Sequence, residues 1–365
     1  TIFALGVQPY INATIIIQLL CVAIPYLENL SKEGEEGRQK LTKISNYTGA
    51  AIALLLSIAY YFIIRRMGAL KYTDGFAGIF SGIVIVACFT AGAQFVTWMG
   101  NQIDAKGIGN GLSLMIFAGI VADWSRVGSS FQDMLTRAQA GASGYYIMIP
   151  AMVILALVAV IFVVILTNAE RRIPVQYAKK VVGRKVYGGQ SSNLPLKVNM
   201  TGIMPIIFAS SICSIFPTIQ MFAHPAQGSF WDKFFDIFAT DSVLYAVLTF
   251  VLIIAFAYFY LAISFNPVEV SNNLKKNGGF ITGIRPGRPT AEYITKILSR
   301  VTFVGALLLS VVAVLPLILN LISGGNLNGL AFGGSSLLIL VSVVIETTRE
   351  IEAQMTMRHY KGFLE

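Results

Sequence analysis

An all-α, polytopic membrane protein is the fold class this chain predicts, on three observations. Nine apolar stretches contain no Asp, Glu, Lys, Arg or His. Of 27 Lys and Arg, 21 sit in alternate connecting segments. The 365 residues are 55% hydrophobic and only 12% charged, with a mean hydropathy of +0.70. A soluble domain usually carries about 25% charged residues, and no single water-soluble core could use this much apolar surface.

The first stretch, 1–27, includes TIFALGVQPYINATIIIQLL, in which Pro9 removes a backbone hydrogen bond and is expected to kink a helix. Asn12, Thr14 and Gln18 interrupt its apolar run. The next two stretches, 44–64 and 76–100, reach the ~20 residues a spanning helix needs. The fourth, 108–122, is the shortest. The fifth covers 147–169, ending before Glu170, and the sixth 199–222. The seventh, 243–268, the eighth, 301–322, and the ninth, 329–345, complete the set.

Between the fifth and sixth stretches, residues 170–198 carry seven basic residues against one acidic. The alternation of Ile173, Val175 and Tyr177, followed by Val186, predicts a hairpin turning near Gly183. Residues 269–300 contain KKNGG and GIRPGRPT, where Gly and Pro force turns that lift Arg285 and Arg288 into solvent. Such charges can simply fix helix orientation or meet anionic lipid. Loops of this length exceed what orientation requires, so a docking surface for a cytoplasmic partner is expected.

Lys and Arg number four in 28–43, one in 101–107, seven in 170–198, six in 269–300 and three in 346–365. The opposite side holds six: Arg65, Arg66, Lys71, Arg126, Arg137 and Lys233. The positive-inside rule makes the richer side cytoplasmic. Nine spans would put Thr1 outside and Glu365 inside. The chain begins with Thr and shows no cleavable signal pattern, so an upstream piece is expected. One further helix would give ten spans with both termini cytoplasmic, divisible into two inverted fives around segment 123–146.

Several chemistries have no residues to run on. No GxxxxGK[ST] loop or HExxH motif is present, and His224 and His359 lie outside the spans. Cys21, Cys88 and Cys213 fall within spans without ligand spacing and act as small hydrophobes. An intramembrane enzyme would need a nucleophile with a base, or paired aspartates, at membrane depth. A proton-coupled or charge-driven transporter would bury an ionisable residue among its helices. The expectation is a conduit or receptor whose energy arrives from outside, neither enzyme nor cofactor-dependent. Nucleic acid as a direct substrate is disfavoured, since the excess positive charge is confined to loops.

Five motifs make the expectation specific: the first stretch, GIGNGLSLMIFAGIVA (107–122), GQSSNLPLKVNMTGIMPIIFASS (189–211), FNPVEVSNNLKKNGGFITGIRPG (265–287) and FGGSSLLILV (332–341). In these, and in their order along the chain, the protein closely resembles SecY, the central subunit of the bacterial Sec protein-conducting channel. The resemblance implies an inverted repeat of two five-helix halves, at 1–135 and 136–365, with nine spans here and the family's first helix and plug preceding Thr1. It implies SecE and SecG as subunits and the SecA ATPase or the ribosome as driver. Signal peptides and unfolded secretory or membrane proteins would be the clients, with hydrophobic segments released into lipid, all in the bacterial cytoplasmic membrane.

Site residues follow from the same motifs. A ring of aliphatic side chains at the pore constriction corresponds to Val7, Ile11, Leu112, Ile116, Ile207 and Ile339. A lateral gate between the first two stretches and the sixth and seventh would use Asn12, Gln18, Ser210, Ser211 and Phe216. SecA or ribosome docking would fall on Arg184, Lys185, Arg285 and Arg288. Residue types alone leave each reading beside a plainer one, because spanning aliphatics usually face lipid or a neighbouring helix and polar residues often serve as helix glue.

Overall fold

The computed structural model describes all residues except 1, 71–74, 140–143, 178–179, 183–184, 188–190, 224–228, 240–241, 323–333 and 362–365. Its chain divides into two compact units. One holds Thr1–Asp123, Ile215–Asp232 and Glu346–Glu365; the other holds Trp124–Ser214 and Lys233–Ile345.

The first unit is built on α1 (Gln8–Ala23), α2 (Pro25–Lys32), α3 (Glu35–Arg66), α4 (Gly75–Lys106) and α5 (Gly111–Ala122). Pro9 does not kink α1 as expected but opens it, occupying the first turn after the N-cap Val7. There the missing N–H would have had no intrahelical partner anyway. The sharp bend comes at Pro25 instead: Ile24 is extended, and α1 and α2 meet at 107°. Leu5, Ala53, Phe89 and Ala93 form a buried core from the segment before α1 and from α3 and α4. Gly92 lets that segment close on α4, since a Cβ there would strike the Ile2 carbonyl. Polar pairs link α3 to α4: Thr90 donates to Ser57 Oγ at 3.0 Å and Asn101 Nδ2 to Asn46 Oδ1 at 3.3 Å.

In the second unit, α6 (Trp124–Gln139) and α7 (Gly144–Asn168) lead into the strands β1 (Glu170–Tyr177), β2 (Lys180–Val182), β3 (Lys185–Tyr187) and β4 (Ser191–Lys197). After these come α8 (Met204–Ala223), α9 (Phe230–Ile237), α10 (Val243–Ser264), α11 (Pro267–Lys276), β5 (Gly279–Ile281), α12 (Arg288–Ile322) and α13 (Gly334–Lys361). Of these, α8, α9 and α13 cross the boundary between the units. Phe208 of α8 packs edge-on against Phe256 of α10, with ring centroids 5.7 Å apart. Cys213 Sγ lies 3.3 Å from Thr249 Oγ1, a second tie between these helices.

The expected hairpin is present, since β1 pairs antiparallel with β4 and β2 with β3. The turn itself, at Gly183, lies outside the described residues. A strand not expected from the sequence, β5, adds antiparallel to the other edge of β1, with Val175 opposite Ile281. The helical expectation therefore has two exceptions among the described residues, a three-stranded sheet in the order β4-β1-β5 and the two-stranded sheet of β2 and β3. Period-two side chains Ile173, Val175, Leu196 and Ile281 point to one face and bury against Ile294 and Leu298 of α12.

Each of the nine charge-free stretches falls on a helix among the described residues. Five helices, α3, α4, α7, α10 and α12, are long and apolar enough to cross a membrane, and the bent pair of α1 and α2 makes a sixth. The fourth stretch becomes α5, whose 12 residues reach only ~18 Å at 1.5 Å per residue, short of a ~30 Å hydrocarbon core. The sixth becomes the apolar segment Met204–Gln220. α13 passes from an apolar first half into TTREIEAQ.

Candidate functional site

Four of the six ring positions belong to the first unit. The Val7 carbonyl accepts the Ile11 N–H at 3.1 Å, so these two residues occupy one face of α1. Val7, Tyr10 and Val96 form a buried cluster against which Ile11, Leu112 and Met115 pack. Leu112 and Ile116, again four apart, are half-buried on α5. That helix is started by two side chains: Asn110 Oδ1 accepts the Ser113 N–H at 3.0 Å and Asp104 Oδ1 the Gly111 N–H at 2.7 Å. In the second unit, Ile207 on α8 and Ile339 on α13 are both buried, at 6% and 7% exposure.

These exposures weigh against a lipid-facing position for the six, while packing against a neighbouring helix fits them as well as a pore wall does. Apolar residues on the outer surfaces of spans are far more open, as with Phe76 at 85%, Ile79 at 66% and Ile161 at 59%. None of the six is in that class. All six offer only hydrocarbon, which cannot replace an ion's hydration shell.

Of the two gate-candidate hydroxyls, that of Ser210 turns onto its own helix. Ser210 donates to the Ile207 carbonyl at 3.0 Å, and the Ser211 carbonyl accepts from Ser214 at 2.7 Å. Thr14 likewise donates to Tyr10 at 3.0 Å. Asn12 is half-buried, and the Gln18 Oε1 is buried with no hydrogen-bond partner among the described residues. Phe216 is half-buried in α8 directly before Pro217, which takes one hydrogen bond out of that helix.

Of the docking candidates, Arg184 lies outside the described residues, as does the side chain of Lys185 in β3. Arg285 and Arg288 are exposed, as expected. Arg285 sits between Gly283 and Gly287, whose φ values of 83° and 104° suit glycine alone. Two buried hydroxyls hold this turn: Thr290 donates to the Arg285 carbonyl at 2.8 Å and Ser271 to the Gly287 carbonyl at 2.7 Å. Arg288 Nε donates to Glu292 at 3.0 Å, one helical turn on, leaving Arg285 as the less engaged cation.

Sequence reasoning did not join the two basic loops into one platform. The signal was present in GGFIT: a short apolar run after a Gly-Gly turn, three residues long as a strand and too brief for period-two reading.

A family model described as SecY matches residues 1–348. The Protein translocase subunit SecY of Mycobacterium bovis is 44% identical over 375 residues, which cover 100% of this chain and 83% of that protein. Its counterpart in Streptomyces galbus is 43% identical over 376 residues, with the same 100% and 83% covered. A solved structure described as "The structure of a protein conducting channel" superposes with a TM-score of 0.66 at 16% identity, covering 97% of this chain and 82% of its own. Sec61 in the canine ribosome-channel complex from the endoplasmic reticulum gives 0.62 at 16%, with 97% and 82% covered. At that identity the superpositions bear on fold alone.

Proposed function

The chain belongs to the SecY family of protein translocase subunits, and from that premise we propose that it forms the central pore through which unfolded secretory proteins cross the bacterial cytoplasmic membrane. The observation that carries the proposal is the pairing of spans free of Asp, Glu, Lys, Arg and His with a set of buried or half-buried aliphatic residues: Val7, Ile11, Leu112, Ile116, Ile207 and Ile339. An aliphatic ring closes around nothing more polar than a methyl group, so it resists ions yet deforms around a passing chain.

A lateral gate at Asn12, Gln18, Ser210, Ser211 and Phe216 releases hydrophobic segments into lipid. Polar residues of this kind suit that task, because weak interhelical hydrogen bonds can be exchanged without trapping the helices. The two inverted halves, 1–135 and 136–365, move apart at this seam. SecE and SecG complete the complex. SecA or a docked ribosome supplies the driving force, and ATP hydrolysis belongs to SecA. Loops 28–43, 101–107, 170–198 and 269–300 and the C-terminus face the cytoplasm on the positive-inside argument. Arg285 and Arg288 there, with Arg184 and Lys185, form the docking surface.

The test is reconstitution with SecE and SecA in vesicles, followed by protease digestion of an added secretory precursor. ATP-dependent protection of the precursor is the expected result. Full digestion with a correctly inserted complex and active SecA would refute the translocase reading, and saturable uptake of a small solute would favour a transporter.

A further inference from the structure

We infer that Arg171, Lys296 and Arg300 form a site for the headgroup phosphate of an anionic phospholipid. The three side chains line one cleft of about 390 Å³, with Tyr293, Ile297 and Val301 as its other walls. A neighbouring cleft of about 520 Å³ shares Lys296 and Arg300, so both cations can be approached from two sides of α12.

Charge bookkeeping singles these cations out. Glu170 is held by Arg172 at 2.7 Å and Glu292 by Arg288 at 3.0 Å. The nearest carboxylates in sequence are thereby engaged elsewhere, and Arg171, Lys296 and Arg300 form no ion pair among the described residues. Three like charges around one cleft repel each other unless an anion sits among them.

Position along the spans selects lipid over other phosphate carriers. Arg171 follows the end of α7 at Asn168, and Arg300 directly precedes the apolar run 301–322 of α12. Both therefore stand where their helices leave the hydrocarbon. The headgroup layer is ~5–8 Å deep on each face. Lys296 lies one turn further along α12, ~6 Å by helix rise, and remains inside that layer. Arg288 is ~18 Å along the axis from Arg300, well beyond it, with Arg285 further still. Tyr293 at 38% exposure adds the amphipathic aromatic typical of this depth. RNA or protein docking would instead engage the loop ends.

This assignment rests on the chain being membrane-embedded and is independent of translocation. The experiment uses the detergent-purified complex with its small partner subunits. Native mass spectrometry counts retained dioleoylphosphatidylglycerol or dioleoylphosphatidylcholine. Preferential retention of the anionic lipid is expected, weakened about fivefold per cation removed in Arg171→Gln, Lys296→Gln and Arg300→Gln. The charge-keeping pair Arg171→Lys and Arg300→Lys should retain it within about threefold, given one positive charge per position. Lys275→Gln with Lys276→Gln, two exposed cations on α11, should change nothing. Should the triple variant fail to fold, the single Arg300→Gln carries the test. Retention unchanged by the cleft variants, or equally reduced by the α11 pair, would overturn the site. Displacement of the lipid by equimolar inorganic phosphate would reassign the site to free phosphate. Loss of ribosome binding in the cleft variants with lipid retention intact would reassign it to RNA.

Discussion

At the scale of single residues, the proposed constriction depends on what is missing as much as on what is present. Val7, Ile207 and Ile339 are buried without any polar atom in their side chains. Replacing several ring residues by Asn or Gly opens space or brings in an amide that can solvate an ion. Such variants of the reconstituted complex should conduct ions severalfold better in planar bilayers, and conductance at the wild-type level would remove these residues from the constriction. Arg285 is the other residue with a clear expectation. Its guanidinium is exposed while its carbonyl is bonded by Thr290, so Arg285→Glu changes surface charge without loosening the turn. Stability should shift by less than about 0.5 kcal/mol. Association with SecA should slow by about tenfold, an effect that salt diminishes. Undiminished SecA-driven transport by this variant would take Arg285 out of the docking surface.

At the scale of elements, local chemistry explains where the sequence could and could not be read. Charge-free runs located the apolar helices but not the charged α6, α9 and α11, because only an apolar stretch in lipid has no alternative to satisfying its backbone internally. The alternation of Ile173 and Val175 located β1 for the same reason of period, and both residues are 2% exposed against α12. Pro9 misled because a proline inside an apolar run opens a helix as readily as it kinks one, and only the turn before Val7 decides between them. β5 stayed hidden because its pairing with β1 is a contact across about a hundred residues of chain, which no local pattern encodes. Among candidate site residues, the aliphatic ones were legible only through the five motifs, since nothing in a valine distinguishes a pore wall from a lipid face. The seam itself offers a direct test. Cysteines introduced as Asn12→Cys and Phe216→Cys should, once oxidised, stop precursor transport, and reduction should restore it. Full transport with the disulfide formed would place the moving seam elsewhere.

At the scale of the whole molecule, the two ends of the charge distribution have separate tasks. The nine stretches carry no Asp, Glu, Lys, Arg or His, while the basic loops meet in one sheet-based platform, β4-β1-β5, seated on α12. A motor that presses on such a platform acts on a helix that continues directly into the membrane, since α12 runs from Arg288 to Ile322. Membership in the SecY family fits this division of labour, and the proposed ring is the element that would keep the pore closed at rest. The measurement that tests this most directly is site-specific photocrosslinking to a precursor arrested in mid-transit. A crosslinker at Ile11 or Ile339 should capture the precursor, while one at the exposed Ile161 of α7, 59% open, should capture lipid. Equal capture from all three positions, or capture from Ile161 alone, would contradict a polypeptide path through the ring.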